Sequence, residues 1–370
     1  MAPVTDPSAN PMPPRPTILS LTPYHGPAEG RILTSDLLLD ANECTQGPPP
    51  RVIAALRAAL DNPKVIRCYP EYGALSAMLG ANAGVPSSYI LPTNGSDQAI
   101  DIIFRCYAEH DDEVIIPAPS FATFFQSARL QGCTIISPEY SRDCGFPLDA
   151  VRRALSSRTR LIVVCNPNNP TGTVVPVDQL IALASTVATS APDALVLVDE
   201  CYLEFSGVTV APYLDTYPHL CITRTLSKTW ALAGLRVGYV LAHPTVINEL
   251  CKVRGPYDVN AFASIAAQAA LADPAPMREY AAEVTSVSRP LLCDFLNIRG
   301  VPYWPSGGNF VLVHPPYPER CCSYFAERGI RLRPRSGGPI EGSIRISLGT
   351  AAETLRVIEI FADYLDKTEQ

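Results

Sequence analysis

Arg160-Leu161-Ile162-Val163-Val164-Cys165-Asn166-Pro167-Asn168-Asn169-Pro170-Thr171-Gly172 is one apolar run that ends in a polar, turn-rich loop. An unbroken Leu/Ile/Val run, without alternation, belongs to a strand buried on both faces, which is the habit of a parallel sheet covered by helices. The loop is too long and too polar for a simple reversal. Outward from it the alternation continues, with apolar β-type runs at 113–116, 134–137, 194–198 and 220–224 and helical segments at 121–130, 148–155 and 179–189. This order predicts an α/β domain with a largely parallel sheet. In such sheets ligands bind at the carboxyl ends of the strands.

Three of those ends carry chemistry. The run above delivers amides at Asn166, Asn168 and Asn169; Val198 is followed by Asp199-Glu200-Cys201-Tyr202; Arg224 is followed by Thr225-Leu226-Ser227-Lys228. Lys228 lies in an almost uncharged stretch that runs on through Gly234 and Arg236 to Gly238. Desolvation there lowers an amine's pKa and makes it nucleophilic, whereas the plain alternative is a lysine whose head reaches out to water. Upstream, Asn94-Gly95-Ser96-Asp97 opens a helical stretch at 98–109. A glycine and a small hydroxyl at a helix start can hold a phosphate, or can be an ordinary N-cap.

Composition narrows the partners. The net charge is -7 and no Lys/Arg block occurs, which argues against nucleic acid or an anionic membrane and for a small molecule. The 12 cysteines are scattered without a CxxC pair or a zinc-like His spacing, so free thiols and a cytoplasmic setting are expected. Residues 1–18 are proline-rich without an apolar core and read as a disordered tail; no stretch is long enough to span a bilayer. Residues 19–50 read as an N-terminal arm that joins a small domain, 51–265 as the large domain and 266–370 as a smaller α+β domain. In the last part helices are expected at 246–253, 262–271 and 277–298, the third interrupted at Pro290, then strands at 309–313, 330–333 and 343–347 and a closing helix at 353–365.

An amine, a carboxylate, a phenol, an amide and a phosphate-ready helix start are the parts that pyridoxal phosphate chemistry needs. Asn166 to Gly172, Asp199 to Tyr202, and Ser227-Lys228 with Arg236 resemble the signatures of the fold-type I, class I and II aminotransferases. Within them the chain is most similar to the histidinol-phosphate aminotransferases, through Leu39-Asp40-Ala41-Asn42-Glu43, Asn94-Gly95-Ser96-Asp97, Pro256-Tyr257-Asp258-Val259-Asn260 and Ile344-Arg345-Ile346-Ser347-Leu348-Gly349-Thr350. The resemblance runs from about Leu21 to the C-terminus. It implies a pyridoxal 5'-phosphate enzyme that moves an amino group from histidinol phosphate to 2-oxoglutarate.

Position by position, it implies that Lys228 binds the cofactor aldehyde and then moves the substrate proton, that Asp199 pairs with the pyridine nitrogen, and that Tyr202 and Asn169 reach the ring hydroxyl oxygen. Gly95, Ser96, Thr225, Ser227 and Arg236 would surround the phosphate, Asp97 would also belong to the cofactor site, and Phe121 would stack on the ring. Tyr69 would reach into the neighbouring subunit's site, which implies a homodimer. Arg345 would grip the substrate carboxylate, Arg333 and Tyr24 the phosphate end, with Asn42 and Tyr257 also at the substrate. The chain departs from the family pattern at Phe121 (a tyrosine elsewhere), Cys44-Thr45-Gln46-Gly47, Pro334 and Asp258. These lie on the substrate side, so an aminotransferase for an aromatic or other pathway-specific amino acid, or a decarboxylase of the threonine-phosphate type, stands as the alternative.

Overall fold

The computed structural model describes residues 14–19, 21–23, 26, 29–143 and 145–368. Its frame is a seven-stranded sheet built from β2 (Ile90–Asn94), β3 (Glu113–Ile115), β4 (Thr134–Ile136), β5 (Thr159–Cys165), β6 (Leu195–Asp199), β7 (Leu220–Thr225) and β8 (Val237–Ala242), after a short β1 (Leu37–Leu38). The spatial order is β2-β8-β7-β6-β5-β3-β4, and only β8 runs against its neighbours. The expected parallel sheet is present. Missing from the expectation were β2 and the antiparallel β8, because Arg236 to Tyr239 reads as part of the lysine loop while Gly238 weakens any strand pattern.

The absence of alternation in β5 and β6 has a direct cause. Ile162, Val164, Val196 and Val198 enter one hydrophobic core, whereas Leu161, Val163, Leu195 and Leu197 enter another on the opposite face. Both faces are sealed by helices, among them Gly95–Tyr107, which buries Ala99, Ile100, Ile102, Ile103 and Phe104. A third core gathers Tyr280, Leu292, Phe325 and Phe361 with Leu39, Tyr202 and Phe205. It lies beside a four-stranded antiparallel sheet in which β9 (Tyr303–Trp304), β10 (Phe310–Val313), β12 (Arg333–Arg335) and β13 (Ser343–Ser347) follow the order β12-β13-β10-β9. The closing helix Ala351–Asp366 starts on a capping box made by Thr350 and Glu353.

The interruption expected at Pro290 is present as a π-turn: Ala275–Glu283 gives way to Val284–Ser288 just before the proline, which has no N–H to donate, and Arg289–Ile298 resumes the α-helix. One local expectation changes. The stretch at 330–333 is not one strand. β11 (Ile330–Arg331) pairs in parallel with β1, and β12 pairs with β13, so the chain changes sheets at Leu332. The proline-rich tail expected at 1–18 falls mostly outside the described residues, and the part described includes a short helix, Pro16–Leu19.

β8 brings Gly238 against the start of the helix Gly95–Tyr107. A Cβ on Gly238 would lie 2.4 Å from Gly95 C and 2.5 Å from Ser96 N, both backbone atoms with no freedom to move aside. Gly238→Ala is therefore expected to destabilise the fold by about 1–3 kcal/mol, read by denaturant unfolding; an unchanged midpoint would contradict this packing.

Candidate active site

The carboxyl ends of β5, β6 and β7 lie side by side, with Cys165 opposite Asp199 and Asp199 opposite Thr223. They open into a cavity of about 440 Å³, a size usual for small-molecule sites. Lys228, Asp199, Tyr202, Asn169, Thr225 and Ser227 line it from these ends. Ser96, Asp97 and Arg236 close one side, Phe121 another, and Arg333 and Arg345 come from the small sheet. Most of the expected cofactor and substrate residues thus converge on one space.

Lys228 is enclosed. Its Nζ donates to the Ala41 carbonyl at 3.0 Å and stands 5.9 Å from the centre of the Tyr202 ring. Burial, reinforced by the positive charge of Arg345, brings its pKa down to about 8. A buried amine resists taking a second charge beside a guanidinium. The snorkelling alternative is therefore set aside: this amine gives up its proton far more readily than an exposed lysine.

Asp199 is buried as well, and burial raises its pKa while three donors oppose the rise. Thr223 Oγ1 donates at 2.6 Å, Cys201 Sγ at 3.0 Å and Cys165 Sγ at 3.5 Å. The Tyr202 hydroxyl accepts from Asn42 Nδ2 at 2.9 Å, and burial pushes the phenol's pKa upward. Asn42 is itself fixed by Ser347, whose hydroxyl accepts from its N–H and donates to its Oδ1.

Gly95 heads its helix at φ +74, and a Cβ there would lie 2.5 Å from Arg236 Nη2. Glycine alone lets this helix start and the guanidinium sit together, and both favour an anion. Arg236 Nη2 meanwhile donates to Asp97 at 2.8 Å. At the opposite end of the cavity, Arg345 is 3 % exposed and bonds Asn169 Oδ1 and the Asp40 carbonyl, each at 2.7 Å. Arg333 is its partner across β12 and β13, and residues opposed in an antiparallel pair share a face.

Not every expected residue reaches the cavity within this chain. Tyr69 and Tyr257 stack on each other, with centroids 4.1 Å apart, and are 74 % and 50 % exposed. Tyr24 lies outside the described residues. Conversely, Arg31 was missed. It lines the cavity and binds Asp40 at 2.9 Å and both Glu43 oxygens at 2.6 and 2.7 Å. No local motif marks it; the only sign in the sequence is a lone arginine that precedes two carboxylates, Asp40 and Glu43. Arg335 also lines the cavity. Among the described residues no His/Cys/Asp/Glu group fits a metal, and no helix is long and apolar enough to cross a membrane.

The aminotransferase class I and II family model matches residues 34–361. The chain belongs to this family. Curated relatives include histidinol-phosphate aminotransferase 1 of Thiobacillus denitrificans, 34% identical over 88% of this chain and 85% of the relative. The histidinol-phosphate aminotransferase of Rhodospirillum centenum is 33% identical over 95% and 98%. Among solved structures, the histidinol-phosphate aminotransferase of Sinorhizobium meliloti in complex with pyridoxal-5'-phosphate superposes with a TM-score of 0.85 at 25% identity, covering 96% of this chain and 98% of that one. The expected fold is that of the family.

The lowered pKa of Lys228 can be read directly. Its rate of modification by an amine-selective reagent, followed by peptide mapping, is expected to be half-maximal near pH 8, and Arg345→Met is expected to move that midpoint upward by removing a positive charge. A midpoint near that of exposed lysines in both proteins would refute the assignment.

Proposed function

We propose that the chain is a pyridoxal-phosphate-dependent aminotransferase that passes the amino group of histidinol phosphate to 2-oxoglutarate. The observation that carries the proposal is the cavity itself: an amine of lowered pKa, a buried carboxylate and an anion-ready helix start share one space with two arginines from the small sheet. The residues fit the cofactor. Asp199 would receive its pyridine nitrogen, Gly95, Ser96, Thr225, Ser227 and Arg236 its phosphate, and Tyr202 and Asn169 its ring oxygen. Asp97 would hold Arg236 in place, and Phe121 would cover the ring. When bound, this group supplies an electron sink for bonds at the substrate's α-carbon.

The chain's own residues do the rest. Lys228 Nζ takes the proton from the substrate α-carbon, work for which a pKa near the working pH suits it. Arg345, already oriented by Asn169 and the Asp40 carbonyl, offers a planar fork to a carboxylate. Arg333, with Tyr24, is assigned to the phosphate end of the donor, and Tyr257 to the substrate as well. Asn42 fixes the Tyr202 hydroxyl.

The same reading includes a large domain at 51–265, a small one at 266–370 that takes in the arm at 19–50, and a cytoplasmic homodimer. The separate core of Tyr280, Phe325 and Phe361 supports the division. The exposed Tyr69, Ile66 and Leu60 support a second copy seated on that face, with Tyr69 delivered to its site. The described cysteines are free thiols, in keeping with a reducing compartment. Phe121, Pro334 and the Cys44 to Gly47 segment favour an aromatic or other pathway-specific donor as the second reading.

Single-turnover spectra separate the two. Histidinol phosphate is expected to convert the yellow cofactor form to the amine form, and Arg333→Ala is expected to weaken that donor by about tenfold or more, the loss of a charged hydrogen bond. Conversion by aromatic amino acids but not by histidinol phosphate would select the second reading; release of carbon dioxide without use of a keto acid would select a decarboxylase.

A further inference from the structure

We propose that Cys201 is a positioning residue, whose thiol, by donating to Asp199, holds that carboxylate ionised and turned toward the ring nitrogen of the cofactor. The inference rests on the cofactor reading above. Asp199 ends β6 and is 3 % exposed. An ionised carboxylate in such a place is costly unless its lone pairs are met by donors. The donors around it are a hydroxyl and two thiols.

The two thiols are not equivalent. Cys165 Sγ is 3.5 Å from Asp199 Oδ2 but 3.4 Å from the Pro167 carbonyl, and its single proton serves one acceptor at a time. Cys201 Sγ stands 3.0 Å from Asp199 Oδ1, the oxygen that also accepts from Thr223 at 2.6 Å. Together Cys201 and Thr223 saturate Oδ1, so Oδ2 is the oxygen that turns to a ring N–H. The arrangement is self-consistent: burial and the neighbouring Asp199 charge push the Cys201 pKa well up, so the sulfur keeps the proton it donates.

Cys201 also sits where such control is effective. It follows Asp199 by two residues, lines the cavity, and belongs to the core that holds Tyr202, so the turn that carries it is fixed from the small-sheet side. Thiols are weaker donors than hydroxyls, and serine at the same position would preserve donation, whereas alanine would delete it.

The test compares cofactor dissociation constants of the intact protein with Cys201→Ala, Cys201→Ser and Cys165→Ala, for pyridoxal phosphate and for its analogue with carbon in place of the ring nitrogen. Cys201→Ala is expected to weaken pyridoxal phosphate by about tenfold, the size of one hydrogen bond to a charged group, and to leave the carbon analogue unchanged. Cys201→Ser should stay within about threefold of the parent, and Cys165→Ala should lose less than Cys201→Ala. Equal losses for both cofactors would make Cys201 a packing residue, and no loss would remove its role; either result overturns the proposal. Failure of the parent protein itself to bind pyridoxal phosphate would instead overturn the cofactor reading.

Discussion

Burying charge at the carboxyl ends of β5, β6 and β7 is the constraint on which the site depends. Asp199 is buried and Lys228 half-buried at the cavity wall, and each answers differently. The carboxylate collects neutral donors from Thr223, Cys201 and Cys165; the amine gives up part of its basicity, its pKa falling to about 8. The sheet makes this possible because its strands are covered on both faces, so it is their ends that deliver side chains into the cavity.

The short segment from Asp40 to Glu43 ties that edge to the small sheet. The Ala41 carbonyl accepts from Lys228, the Asp40 carbonyl from Arg345, Asn42 Nδ2 donates to Tyr202, and the Asn42 backbone and side chain hold Ser347. Arg31 adds its guanidinium to Asp40 and Glu43. A displacement of this segment would disturb the amine, the phenol and the Arg345 guanidinium together. It follows that the departures at Cys44 to Gly47 adjoin a segment on which several site residues depend.

Strand type and the chemistry at strand ends were legible because both are local: a continuous apolar run marks β5 and β6, and a polar residue placed right after such a run marks Asp199 and Asn169. The strand β8 was not, since Gly238 is there to admit the backbone of Gly95 and Ser96, a contact made across distant sequence. Arg31 and Arg335 were illegible as site residues for the same reason. Their partners and their cavity are set by how the arm and the small sheet close over the large one, and no spacing in the chain records that. At Pro290 a local rule was legible too: the α-helix breaks into a π-turn just before the residue that has no N–H to donate.

The sequence contains four lysines, Lys64, Lys228, Lys252 and Lys367, and only Lys228 lies in the cavity. Borohydride reduction of the protein with pyridoxal phosphate, followed by peptide mapping, therefore tests the central claim most directly. The account predicts label on Lys228 alone at stoichiometric cofactor. Label spread over Lys64, Lys252 and Lys367, with Lys228 unmodified, would contradict it.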